Sequence, residues 1–348
     1  MRLDRIILQH FRLFEQEIFE LHPRLTLIIG RNTRGKTSLL EGIFTVIYGE
    51  GFRETRESEL ITWDQQQANI GAVFMGADGS SQEFQVLFRR AGDATGKVFF
   101  VEKTKKTHHH YLSFQTRAVL FTPENIEIIT GSPALRRSYF DRLLSAADVE
   151  YKKRLTNYEH ALRKRNKILE QYRQESSLHE ELRFWNDYLI ENGGYLTAKR
   201  ERYCAYLNEN PKVKDRSFSI LHKKNEISIE RLQESFELEK RVRKTLIGPQ
   251  KDDYEISLTD DISKNVHLYG SRSEQRIAMF WLKLNEIRYL EEQTGKKPLL
   301  LLDDVFSELD QFNKKIIMQV IGEYQTILTS TEEDLIELAD SDKHVIHL

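Results

Sequence analysis

The chain has 348 residues, enough for two domains or one large elaborated one. It is 39% hydrophobic and 30% charged with only 6 prolines, which excludes a disordered chain and suits an ordered, rather helical protein. The net charge of −2 excludes a global field that gathers nucleic acid, so any such binding has to come from local patches.

The N-terminal MRLDRIILQHFRLF carries charges through its apolar stretch, so it reads as a strand and not as a signal peptide. No apolar run reaches the roughly 18–20 residues of a membrane span, and no membrane partner is expected. Ile6–Leu8, Ile18–Leu21 and Leu25–Ile29 are short apolar strands. The last runs into GRNTRGKTS at 30–38, and a helix is expected from Thr37 to Ile47. Gly30, Gly35, Lys36 and Thr37 match G-x-x-x-x-G-K-[ST]. Such a loop turns its N–H groups inward at the positive end of a helix, where phosphates bind. Lys36 would place a charge on the β- and γ-phosphates, and the Thr37 hydroxyl would hold Mg²⁺. ATP is the expected nucleotide, held by Gly30, Arg31, Asn32, Thr33, Arg34, Gly35, Lys36, Thr37 and Ser38, with Arg12 as a further contact.

Residues 69–102 read as antiparallel strands joined by the turn signals ADGS and GDATG, and Ala118–Phe121 as another buried strand. Lys103, Lys105 and Lys106, in a loop before His108–His110, are a candidate for DNA contacts, but a solvated loop is the better reading there. From Pro133 to about Leu207 apolar residues recur at three- and four-residue steps, as helices require. Asn192-Gly193-Gly194 is expected to break or bend one of them. The single Cys204 lies in this pattern and reads as packing; it excludes an internal disulfide and suits the cytoplasm. A strand at Phe218–Leu221, a helix at Ile229–Leu246 and a strand at Tyr254–Leu258 follow. The end alternates: helix Glu274–Gln293, strand Leu299–Leu302, helix Gln311–Glu323, strand Thr326–Thr329.

The fold expected is α/β: a P-loop ATPase lobe, 1–122 with 208–348, interrupted by a helical arm lobe, 123–207. The loop strand and Leu299–Leu302 should share one sheet. Residues 298–310, PLLLLDDVFSELD, end an apolar strand in two aspartates. Asp303 would hold Mg²⁺ and Asp304 would face the attacking water. Taken alone the pair is ambiguous with an acidic helix start, but with a P-loop in the same chain catalysis is the better reading.

YGSRSEQRIAM at 269–279 has the outline of an ABC signature, in which Ser271 and a helix start meet a γ-phosphate bound to another subunit. Ser273 and Glu274 depart from the usual glycine and glutamine, and Thr33 from a usual glycine. The order P-loop, helical insertion, signature, paired aspartates and SELD at 307–310 resembles the head of SMC-type ABC ATPases. HFRLF at 10–14, VLFTPENIEIITGSPALRRSYFD at 119–141 and GPQKDDY at 248–254 are similar to strings of the RecF family, across essentially the whole chain. That resemblance implies a weak, DNA-stimulated ATPase of recombinational repair, DNA replication and the SOS response, in the cytoplasm. It implies an ATP-dependent head-to-tail homodimer, with Ser271 and Asp310 at the interface. Such a dimer holds gapped or double-stranded DNA, works with a RecR-type mediator and helps load the RecA recombinase. Glu124 would lie on the γ-phosphate side.

Residues 152–173 carry eight Lys/Arg against two Glu. Lys152, Lys153 and Arg154 repeat at Arg163, Lys164 and Arg165, eleven residues on, with Lys167 and Arg173 beyond. Such a stripe would contact phosphates without reading sequence, or would be a solvated helix face. Arg136 and Arg137 are a second candidate pair. Two other readings stay open on the residues alone: a nucleotide-binding scaffold with negligible turnover, and another ABC-type ATPase subunit such as that of a transporter. A nuclease with a similar head would need a further acidic metal domain.

Overall fold

The structure, a computed structural model, describes residues 1–53, 56–92, 94–114, 116–172, 175–213, 215–260, 263–308, 311–331 and 342–348. Asp310 and Arg173 lie outside the described residues, as does Asp93 of the GDATG turn. The chain forms two compact units, Met1–Glu124 with Ile287–Leu348, and Asn125–Glu286.

The first unit opens with β1 (Arg2–Phe11), β2 (Phe14–Glu20), β3 (Leu25–Ile29) and α1 (Lys36–Tyr48). Next come β4 (Gln67–Met75), β5 (Ser81–Ala91), β6 (Ala94–Val101), β7 (Thr104–Lys106), α2 (His108–Phe114) and β8 (Ala118–Phe121). Strands β2-β1-β4-β5-β6-β7 make a six-stranded antiparallel sheet in that order. Alternation sets its face: Ala68, Ile70, Ala72 and Phe74 of β4 are buried, with Phe84, Val86 and Phe88 of β5. The histidine run is not a loop. Thr107 Oγ1 accepts the His110 N–H at 3.3 Å and starts α2, and His108 stacks on Phe99 at 4.6 Å.

The second unit holds α3 (Glu127–Thr130), α4 (Pro133–Ala147), α5 (Val149–Gln171), α6 (Glu175–Glu209), β9 (Lys212–Val213) and β10 (Arg216–Lys223). It continues through α7 (Ile229–Val242), β11 (Asp253–Leu258), β12 (Lys264–Asn265), α8 (Val266–Tyr269) and most of α9 (Arg272–Thr294). Asp148 caps α5 by accepting the Glu150 and Tyr151 N–H groups. The glycine pair does not break α6, which runs unbroken through it. Gly193 is there for room: a Cβ would sit 2.8 Å from Ile227 Cγ2 and 3.1 Å from Tyr158 Cε2. The helix after Ser228 stops at Val242, short of Leu246, because Arg243 turns left-handed at φ 55°. Cys204 is buried, and burial pushes its thiol up to about 12.

Residues 208–286 were expected with the ATPase lobe, but they belong to the same unit as the arm. Asn208 of α6 exchanges hydrogen bonds with Ile220 of β10 at 2.8 and 3.0 Å. The fully buried Asp252 accepts from Arg200 of α6 at 2.7 Å and from the Asn225 N–H at 2.7 Å, and lies 2.9 Å from His222 Nε2. These ties join the GPQKDD stretch to the arm.

At Ile287 the chain is back in the first unit, adding β13 (Leu299–Asp303), α10 (Gln311–Glu323), β14 (Thr326–Ser330) and β15 (Lys343–His347). A second sheet of order β15-β3-β14-β13-β8 is parallel throughout. The loop strand and the acidic strand do share a sheet, with β14 between them. β3, β8, β13 and β14 are buried along their whole length, as strands of a covered parallel sheet must be.

Candidate functional site

The loop 30–35 leaves the end of β3, and α1 begins at Lys36. Two residues turn it through left-handed backbone, Thr33 at φ 69° and Gly35 at φ 102°. Gly35 fits because a side chain would meet Phe14 and Leu13 at 3.0–3.1 Å. A β-branched Thr33 in that region carries strain. Arg31, Asn32, Thr33 and Arg34 are exposed, while Lys36 and Ser38 are buried. The Lys36 ammonium donates to the Gly30 and Arg31 carbonyls at 2.7 and 3.0 Å, so a phosphate in the loop would compete for the same protons. A cleft of about 750 Å³ opens beside the loop, lined in part by Gly30, Asn32, Arg34 and His347.

Asp303 ends β13, two strands from β3, yet reaches the loop helix. Thr37 Oγ1 donates to Asp303 Oδ1 at 3.0 Å, and Thr329 Oγ1, at the end of the intervening β14, donates to the same oxygen at 2.7 Å. Burial raises the Asp303 carboxyl; the Thr329 and Thr37 hydroxyls and the Arg53 charge pull it back, and Glu124 adds to the rise. Asp304 is held at φ 49°, its N–H donating to the Thr329 carbonyl at 3.2 Å and hydroxyl at 3.0 Å. A hydroxyl and a carboxylate side by side are hard oxygen donors of the kind that suits Mg²⁺.

Sequence reasoning missed Thr329, whose signal is the polar ending of the apolar strand TILTS. It missed Glu41 as well. This fully buried carboxylate on α1 takes Arg12 in a two-pronged pair at 2.8 and 3.0 Å and Arg53 at 2.6 Å. Burial raises the Glu41 carboxyl, but the two guanidiniums outweigh it and hold it below the usual range. Arg12 is thus fixed by Glu41 and by the Glu59 carbonyl at 3.0 Å. A second cleft of about 660 Å³ lies here, with the 84% exposed Trp63 on its wall.

In the second unit Ser271 is exposed, immediately before α9. Its N–H and Oγ–H both donate to Glu274 Oε2, at 2.8 and 2.9 Å, and the Glu274 N–H returns to Ser271 Oγ at 3.3 Å. This is a capping box. Lys264 pairs with Glu274 Oε1 at 2.8 Å.

The basic stripe needs correction. Arg165 is fully buried and donates to Glu239 at 2.6 Å, Thr245 at 2.7 Å and Asn186 at 2.7 Å, so it is closed to any phosphate. Arg136 is buried against Asp253 at 2.7 and 3.1 Å, and Arg137 donates to the Asp252 carbonyl at 2.8 Å. Arg154 pairs with Glu150 and Glu191, and Lys153 lies 3.4 Å from Glu150. Lys152 is half-buried, whereas Lys153, Arg163, Lys164 and Lys167 are exposed. The eleven-residue spacing does put equivalent cations on equivalent sides of α5, but the side of Arg154 and Arg165 turns inward. His160 of α5 and Phe184, Trp185 and Tyr188 of α6 form a ladder of ring contacts at 5.0–5.9 Å.

A glycine-turned phosphate loop and a buried aspartate two parallel strands away define a P-loop ATPase head of the ABC kind. The chain belongs to the RecF/RecN/SMC N-terminal domain family, which matches residues 2–347. It is 31% identical to the DNA replication and repair protein RecF of Caldanaerobacter subterraneus subsp. tengcongensis, over 97% of this chain and 96% of that protein. It is 32% identical to that of Enterococcus faecalis, over 97% and 94%. Among solved structures it matches the recombination mediator protein RecF-ATP of the RecFOR pathway with a TM-score of 0.86 and 29% identity, over 98% of this chain and 93% of that one. An SMC head domain from Pyrococcus yayanosii, 13% identical with a TM-score of 0.56 over 99% and 94%, shares the fold. Among the described residues, no helix is long and apolar enough to cross a membrane.

Proposed function

We propose that the protein is an ATP-gated DNA-binding ATPase of recombinational repair that acts in the cytoplasm. Two copies close head to tail on ATP, hold gapped or double-stranded DNA with a RecR-type mediator, help load the RecA recombinase, and part after slow hydrolysis. The observation that carries this reading is the 3.0 Å contact of Thr37 with Asp303, which couples the phosphate loop to the acidic strand. Relatives named for DNA replication and repair, and for ATP in the RecFOR pathway, support the same reading.

In this reading Lys36 and the loop N–H groups bind the terminal phosphates, and Thr37 and Asp303 hold Mg²⁺. When bound, that ion would neutralise charge on the phosphate oxygens. Asp304 orients the attacking water and accepts its proton as the bond to the ADP oxygen breaks. Ser271 of the partner subunit donates to the γ-phosphate, and Asp310 of the partner subunit lines the interface. Lys153, Arg163, Lys164 and Lys167 are the phosphate contacts that α5 leaves accessible.

Light scattering without nucleotide, with ADP and with ATP, each with and without a gapped duplex, tests the reading. A monomer that dimerises only with ATP, and then retains DNA, is the expected result. A monomer under every condition would refute it. A scaffold with negligible turnover is the second reading, favoured by strained Thr33 and by the hold of Glu274 on Ser271. Phosphate release in the same samples separates the two.

A further inference from the structure

The Ser271 hydroxyl has one proton, and Glu274 Oε2 takes it at 2.9 Å while also taking the Ser271 N–H at 2.8 Å. To donate to a phosphate, that hydroxyl must first leave a carboxylate. A carboxylate is a stronger acceptor than an amide oxygen. It also brings a full negative charge to within three residues of the place where a phosphate, itself negative, would arrive. Lys264 is the one cation that meets Glu274 among the described residues, through the other oxygen at 2.8 Å. Its side chain is 35% exposed and that of Glu274 is 15% exposed.

We propose that Glu274 is a positioning residue that holds the Ser271 hydroxyl back from the partner subunit's nucleotide, so that ATP-driven closure is weaker than a neutral side chain at 274 would make it, with Lys264 offsetting part of the penalty. This rests on the shared-site reading above. The lowering of the Glu274 carboxyl to about 2, through Lys264 first and then the Ser271 N–H, keeps the charge in place throughout the neutral range. Glutamine is the telling replacement. It preserves the capping box, because its amide oxygen accepts the same N–H, and removes only the charge.

The experiment measures the ATP-dependent dimer constant by sedimentation for the full chain, Glu274→Gln, Lys264→Met and the double variant. Glu274→Gln should tighten the dimer by roughly tenfold for each shared nucleotide, the scale of one charge at a partly desolvated contact. Lys264→Met should loosen it several-fold in the native background and do nothing in the Glu274→Gln background. The ratio between native and Glu274→Gln constants should shrink as salt rises from about 0.1 M to about 1 M and the screening length falls from about 10 Å to about 3 Å. A purely structural cap would show neither the coupling nor the salt dependence. Equal constants for native and Glu274→Gln at low salt would overturn the proposal, as would a ratio that ignores salt. Dimerisation of Glu274→Gln alone would support it. Monomers throughout, with ATP bound, would refute the shared site itself and this inference with it.

Discussion

Thr37 and Asp303 stand 266 positions apart in the chain and 3.0 Å apart in the fold. Burial raises the Asp303 carboxyl, the Thr37 and Thr329 hydroxyls stabilise its charged form, and an asparagine oxygen would accept the same two hydroxyls without the charge. Asp303→Asn should therefore leave the fold intact and lower ATP turnover by about a hundredfold or more, measured as phosphate release.

Lys36→Met should abolish the ATP-induced rise in melting temperature and, through it, the ATP dimer. The methionine keeps the packing of the stem and discards the charge that donates into the loop carbonyls. A thermal shift equal to that of the native protein would count against the phosphate-loop reading.

Ser271→Arg should spare nucleotide binding by the monomer and block dimerisation, since Ser271 is exposed and lies in the other unit from the loop. Equilibrium dialysis with ATP and sedimentation of the same sample give both halves of the answer.

Gly193 and Gly194 make a paired test of packing. Gly193→Ala would place a methyl 2.8 Å from Ile227 Cγ2, so it should destabilise by about 1–3 kcal/mol despite alanine's higher helix propensity. Gly194→Ala meets nothing within 4 Å and should stabilise by up to about 1 kcal/mol. Urea unfolding of the two variants should give opposite signs.

Asp252 predicts acid sensitivity. Burial pushes its carboxyl up, but His222, the Asn225 N–H and Arg200 outweigh it and hold it below the ordinary value. A carboxyl depressed in the fold stabilises above its unfolded value of about 3.9, and the contribution is lost as pH falls through the folded value. Urea midpoints should therefore drop below about pH 4 in the native protein and drop less in Asp252→Asn. At pH 7 that variant should be less stable by about 3 kcal/mol, because Arg200 keeps its burial and loses a partner.

Much of this was legible beforehand because periodicity and loop chemistry are local. LTLII, the phosphate loop and LLLLDD announced β3, α1 and β13, and Pro133 onwards announced the arm helices. What failed was what depends on neighbours. The spacing of Arg154 and Arg165 told that they share a side of α5, and nothing in the chain told that this side meets Glu239 and Thr245. The strand KHVIH, with only Val345 and Ile346 apolar, gave too weak an alternation to announce β15. Gly193 looked like a break because sequence shows flexibility and conceals the atoms of Ile227 and Tyr158. Asp252 and Asp253 stood in a recognisable string, but their work of tying Arg200 and Arg136 required both ends of each contact.

The strand order β15-β3-β14-β13-β8 carries a consequence for synthesis. The phosphate loop directly follows β3 and is made early, but both strands that flank β3 begin only at Thr326 and Lys343. A nascent chain thus exposes its nucleotide-binding loop long before the sheet that shapes it can close. A chain that has not yet reached β14 and β15 therefore carries the motif without the sheet that shapes it.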